Sequence, residues 1–112
     1  MPFLDIATNT AIENNLSIAK KASKLTADIL GKPENYVMVK VQDKQTLIFS
    51  GSDEPAAHIQ LKSLNLPEDK TADYSAALCS FINIELKIEC SRIYIEFVNP
   101  ERHMWGWDKR TF

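Results

Sequence analysis

The sequence predicts an α+β fold: a four-stranded sheet with two helices on one of its faces, built from two β-α-β units in tandem. Three observations predict it. Short runs with an apolar residue at every second position alternate with two longer stretches whose apolar residues recur every three or four. Gly31 and Pro33 punctuate the first longer stretch where a helix would have to stop. The second half of the 112 residues repeats the plan of the first at an offset of 56, half the length.

The elements follow in order. Phe3–Thr8, within the opening "MPFLDIAT", reads as a strand. A helix is predicted from about Asn14 to Leu30, because Ile18, Ala22, Leu25 and Ile29 recur at spacings of four, three and four along one face. Gly31 supplies its stop, and Pro33 just beyond cannot continue it. In "YVMVKV", Val37, Val39 and Val41 alternate with Met38 and Lys40, a strand with one apolar face. "FSGSDEP" (Phe49–Pro55) reads as a turn, with Gly51 best able to take a positive φ. "HIQLKSL" alternates Ile59 and Leu61 with Gln60 and Lys62, a second strand of the same kind. A helix from about Thr71 to Lys87 turns Leu78, Phe81, Ile82 and Leu86 inward. "RIYIEFV" closes the plan, with Ile93, Ile95 and Phe97 on one face. Weaker strand signals at Thr46–Phe49 and Met104–Trp107 are candidates to extend the sheet edges of a neighbouring copy.

Superposing the halves places Ala22 on Leu78, Leu25 on Phe81, Leu30 on Leu86, and "YVMVKV" on "RIYIEF" in the same phase. The chain is therefore read as one domain, 1–112, with pseudo-repeat halves of about 1–56 and 57–112. Each β-α-β unit must be right-handed and brings its two strands parallel. One sheet face takes the valines, isoleucines and leucines. The other carries Met38, Lys40, Gln60, Lys62, Tyr94 and Glu96, too mixed for a second core and too apolar for plain solvent surface. A face of that kind is predicted to be covered by other subunits.

Composition removes several function classes. The net charge is −2, which gives no electrostatic footing for nucleic acid. Lys20, Lys21 and Lys24 lie close together, but Glu13 and Asp28 flank them, so they read as a solvated helix face. No apolar run approaches the roughly 18 residues that a membrane span needs. The start lacks the basic-then-apolar layout of a signal peptide, which predicts a cytoplasmic protein. Cys79 and Cys90 match no metal or redox spacing and read as reduced core or near-core thiols. His58 and His103 have no partner spacing for a metal and are placed at the surface or a strand edge. Trp105, Trp107 and Phe112 read as packing and pocket wall rather than as a nucleic-acid stacking platform. No cofactor or metal is predicted.

The blocks "MPFLDIATN", "GKPENYVMVKV", "FSGSDEPAA", "KSL", "RIYIEF" and "WGWDKRTF", in that order along the whole chain, resemble the macrophage migration inhibitory factor family of the tautomerase superfamily. The resemblance implies a homotrimer whose three sheets surround a central channel, with active sites at the subunit interfaces. It implies catalysis of keto–enol interconversion without a cofactor, on small enolisable keto acids such as phenylpyruvate and on dopachrome-type esters. Methionine before proline is usually trimmed, and Pro2, freed in that way, matches the family's catalytic base. Lys32, in "GKP", matches the lysine that faces the substrate's carboxylate or carbonyl oxygen. Ser63 and Leu64, in "KSL", match a pair whose backbone helps bind substrate. Tyr94, in "RIYIEF", matches a tyrosine supplied by the adjacent subunit. Phe3, Tyr36, Met38, Trp107 and Phe112 would line or neighbour an apolar pocket. Without the resemblance, Pro2 is a plain strand start and Lys32 a helix-terminal lysine complementing the dipole.

The family pattern is departed from at three places along the chain. Glu96 stands where an Asn is common, two residues after the tyrosine. Ala56, Ala57, His58 and Ile59 replace a Cys-x-x-Cys found in some relatives, so the thiol-disulfide activity of those relatives has no residues to run on. Trp105 stands where a smaller aliphatic residue is usual, which predicts a narrower pocket mouth.

The implied chemistry needs a base that is unprotonated near neutral pH and a donor for the developing enolate oxygen. A terminal amine titrates at about 7.7–8.0, and a secondary alkyl amine tends higher. Burial beside Phe3, Tyr36 and Trp107 lowers that value, and a nearby Lys32 ammonium lowers it further. Glu96 within a few ångströms of Pro2 would act the other way, or would pair with Lys32 instead. The alternative implied by the resemblance is a cytokine-like protein ligand with a vestigial or secondary tautomerase pocket, exported without a signal peptide and bound by a cell-surface receptor. The same order of elements also occurs in ferredoxin-like modules that bind RNA or metals. The acidic balance and the missing basic aromatic sheet motif speak against that reading.

Overall fold

The computed structural model describes all of residues 1–112. Strand β1 spans Pro2–Thr8, helix α1 Asn15–Leu30, β2 Met38–Gln42, β3 Ala57–Ser63, α2 Thr71–Leu86 and β4 Ile93–Val98. A short tail hairpin, β5 (Gly106–Trp107) and β6 (Arg110–Thr111), follows. The sheet order is β2-β1-β3-β4. β1 and β2 are parallel, β3 and β4 are parallel, and the two pairs meet antiparallel between β1 and β3. Each β-α-β unit thus contributes one parallel pair, as the tandem reading predicts.

Local chemistry sets the helix ends. The Asn14 side chain accepts from the Ser17 backbone N–H at 3.0 Å, an N-cap that satisfies one of the free amides of the first turn. Gly31 takes the left-handed conformation at φ 62°, and the Lys32 N–H returns to the Ala27 carbonyl at 3.0 Å. The second helix has no glycine at its end. Lys87 adopts the left-handed conformation there, and the Asn83 side chain steadies the turn by donating to the Ile88 carbonyl at 3.0 Å.

The core lies between the sheet and the helices. Leu4 and Ile6 of β1 and Ile59 and Leu61 of β3 face Ala22, Tyr74, Leu78 and Ile82. Val39, Val41, Ile95 and Phe97 are only partly buried, because β2 and β4 are the sheet edges. The polar side chains in this layer are satisfied: the Thr8 hydroxyl donates to the Ala56 carbonyl at 2.7 Å and the Thr26 hydroxyl to the Ala22 carbonyl at 2.8 Å.

Several expectations change. The second strand begins at Met38 rather than Tyr36, because Glu34–Tyr36 after Pro33 forms a single 3-10 turn. Thr46–Phe49 forms no strand, and its one ladder contact is a bridge from Phe49 to Ser52 around Gly51, whose φ is 71°. Met104–Trp107 contributes only Gly106–Trp107, which pairs with Arg110–Thr111 inside the same chain. Cys79 is half-buried on α2, but Cys90 is exposed at the start of a 3-10 turn and is not a core thiol. His58 has its side chain at the surface, as expected, but on the inner strand β3 rather than on an edge strand, and it pairs with Glu96 of β4.

The turn at Phe49–Pro55 is held from outside by Arg92. Its guanidinium donates to the carbonyls of Pro55 (2.9 Å), Phe49 (3.1 Å), Ser52 (3.3 Å) and Glu54 (3.1 Å), and lies 5.2 Å from the centre of the Phe49 ring. An ammonium cannot span four carbonyls set out for a planar fork. Arg92→Lys is therefore expected to lower stability by about 1–2 kcal/mol, the size of one or two hydrogen bonds lost at a half-buried site. Urea unfolding checks this, and an unchanged midpoint would show that the turn holds without the clamp.

Candidate active site

One row crosses all four strands. Met38 of β2 is the register partner of Phe3 of β1, Phe3 of Lys62 of β3, and Lys62 of Val98 of β4. Strand alternation turns this row to the face opposite Leu4, Leu61 and the helices. The C-terminal segment folds back over it, and Pro100, Met104, Trp105, Trp107 and Phe112 form the opposite wall of a cavity of about 830 Å³. Aromatic contacts hold that wall in shape: Trp107 stacks on Phe112 at 5.9 Å and 9°, and Tyr36 meets Trp107 edge-on at 6.5 Å. The Phe112 N–H donates to the Trp105 carbonyl at 3.2 Å, closing the tail. Met1, Pro2, Asn35 and Val37 complete the lining. Lys62 is its one charged side chain.

Pro2 opens β1 opposite Ser63. With no N–H to donate, proline fits the first position of a strand without leaving a gap in the ladder. Pro2 is fully buried, and Met1 lies half-buried beside it. The Met1 terminal amine is held below the ordinary range of such amines, first by burial, then by repulsion from Lys32 and Arg102.

Lys32 reaches this point because α1 stops at Gly31 and the left-handed turn delivers the next residue to the end of β3. Its ammonium donates to the Ser63 hydroxyl at 2.7 Å and to the Leu64 carbonyl at 2.6 Å. Burial lowers its pKa. An ammonium has three N–H donors, so one is left for a ligand.

The structure brings Pro2, Lys32, Ser63 and Leu64 together, and sets Phe3, Tyr36, Met38, Trp105, Trp107 and Phe112 on the cavity wall. Lys32, Ser63 and Leu64 are not on the cavity wall; Ser63 is the cross-strand partner of Pro2, and the oxygens of Ser63 and Leu64 position Lys32 next to it. Tyr94 and Glu96 are not part of the cavity within one chain. They lie on the exposed side of β4, Tyr94 edge-on to Phe49 at 4.7 Å and Glu96 paired with His58. Glu96 accordingly pairs neither with Lys32 nor with the Pro2 end of the chain. Sequence reasoning missed Lys62, Val98, Pro100, Met104 and Arg102. The alternation of "HIQLKS" put Lys62 on the same face as Met38, but only the register shows both flanking Phe3.

All of residues 1–112 match the family model described as Macrophage migration inhibitory factor (MIF). The macrophage migration inhibitory factor homolog of Brugia malayi is 39% identical over 115 residues, covering 100% of this chain and 99% of that protein. A mouse (Mus musculus) protein named D-dopachrome decarboxylase is 33% identical, over 95% of this chain and 92% of its own length. The crystal structure of the macrophage migration inhibitory factor homologue from Prochlorococcus marinus superposes with a TM-score of 0.93 at 34% identity, over 98% of each chain.

Proposed function

Because the chain belongs to the macrophage migration inhibitory factor family, we propose that it is a cofactor-free keto–enol tautomerase whose general acid/base is the Pro2 nitrogen, freed when Met1 is removed. One observation carries the reading: the head of β1 meets the apolar cavity beside an ammonium that has a donor to spare. An aryl keto acid such as phenylpyruvate fits a cavity walled by Phe3, Tyr36, Trp107 and Phe112. The Pro2 lone pair removes a proton from the carbon next to the keto group. The electron pair moves onto the carbonyl oxygen, where the Lys32 ammonium stabilises the enolate. A proton returned to that oxygen gives the enol and restores the amine. Ketonisation is the reverse.

The assembly belongs to the same proposal. Met38 and Tyr94, each 66% exposed, stand on the sheet face that the helices leave open. We place neighbouring copies there in a homotrimer, so that Tyr94 and Glu96 of one copy complete the cavity of the next.

The pH profile tests the base. The active form is the unprotonated amine, so kcat/KM rises with pH through its pKa. Burial and Lys32 lower an amine at this end of the chain, so the rise should lie below the titration of an exposed N-terminal proline in a short peptide. Lys32→Ala removes a like charge and should move the rise to higher pH while lowering the plateau. A rise that stays in place, in a chain shown by mass spectrometry to start at Pro2, would overturn the assigned neighbours.

A further inference from the structure

We propose that Lys62 is a second anion anchor of this cavity, and that it selects aryl keto acids carrying a further acidic group on the ring. The proposal rests on the tautomerase reading and names the substrate class of the same site.

Lys62 and Ser63 are successive residues of β3 and point to opposite sheet faces. Ser63 holds the Lys32 ammonium on the helix side, whereas Lys62 enters the cavity from the open side. Two cations thus approach the head of β1 from its two sides. The other sheet lysine that faces outward, Lys40, is neutralised by Asp5 at 3.3 Å, and Lys21 on α1 by Glu85 at 3.2 Å. Within the chain Lys62 has neither a carboxylate nor a hydrogen-bond partner, no carboxylate side chain of the same chain lines the cavity, and the Glu96 that a neighbouring copy would bring is already paired with its own His58. Its ammonium lies 6.0 Å from the centre of the Trp105 ring, so the indole steers it without using its N–H donors.

A half-buried ammonium held over an aromatic wall, with its donors unspent, is built to receive an anion. The keto acid's own oxygens are served from the Lys32 side. The apolar span of Phe3, Met38 and Trp107 takes the ring. An acidic group at the far side of that ring then meets Lys62. A substrate with a single negative charge leaves it idle.

The test compares kcat/KM for phenylpyruvate and para-carboxyphenylpyruvate in the wild type, Lys62→Ala and Lys62→Arg. Alongside, quenching of Trp105 and Trp107 fluorescence reports binding of the unreactive para-carboxyphenylacetate against phenylacetate. The wild type should favour the ring-carboxylated member of each pair by about tenfold, the size of one charge-assisted hydrogen bond at a half-exposed site. Lys62→Ala should erase that ratio, chiefly through KM, and Lys62→Arg should keep most of it. A wild type without the preference, or a preference that survives Lys62→Ala, overturns the proposal while leaving turnover of phenylpyruvate to stand. A Lys62-dependent binding ratio with no turnover of either keto acid upholds the anion anchor and removes the tautomerase reading beneath it.

Discussion

Inserting an alanine between Met1 and Pro2 is expected to lower kcat/KM for phenylpyruvate at least ~100-fold, the low end of what a positioned general base contributes. The insertion turns the Pro2 nitrogen into an amide whether or not the methionine is trimmed, and an amide nitrogen has no basic lone pair. The new amine lies displaced from the head of β1, away from the Lys32 ammonium held by Ser63 and Leu64. The fold should persist, because proline donates no hydrogen bond to the ladder there and the core begins at Leu4. Unchanged unfolding together with lost turnover is the expected pair of results. Full turnover in the inserted variant would remove Pro2 from the mechanism.

The largest effect on stability is expected from Ile59→Ala, at about 3–4 kcal/mol. Ile59 is fully buried on the inner strand β3, opposite Ile6 of β1 on one side and Ile95 of β4 on the other. Its loss removes transferred apolar surface and leaves a cavity between sheet and helices that packed neighbours can only partly fill. By contrast, the exposed Lys21–Glu85 pair should be worth no more than about 1 kcal/mol, since both charges remain in water. Urea unfolding at fixed protein concentration measures both, the concentration mattering because association adds to apparent stability. A loss below about 1 kcal/mol for Ile59→Ala would mean that the core closes over the gap.

Glu96 shows how far the residues alone could be read. Its place two positions after Tyr94 is plain in "RIYIEF", and the alternation correctly sets both on the face away from the core. Its pairing with His58 depends on β3 and β4 lying parallel in one register, which no local pattern encodes. Cys90 misled for a related reason. It reads with Cys79 as a core or near-core thiol, but it lies between Glu89 and Ser91, and the 3-10 turn after α2 leaves it exposed. The Arg92 clamp was invisible, because its carbonyl partners carry no side-chain signature.

What the amino-acid sequence determined by itself is the set of elements: two helices, four sheet strands and the face each turns inward. These follow from periodicities of two and 3.6 residues, which are local properties of the backbone. The family blocks added Pro2 and Lys32 as the pair to examine. The tertiary structure alone decided that Met38, Phe3, Lys62 and Val98 form one row, that the tail closes over that row, and that Lys32 is held by Ser63 and Leu64. Each of those facts joins residues distant along the chain through strand register or chain reversal, and a shift of one residue in the register would turn Lys62 toward the core and remove the charged side of the cavity.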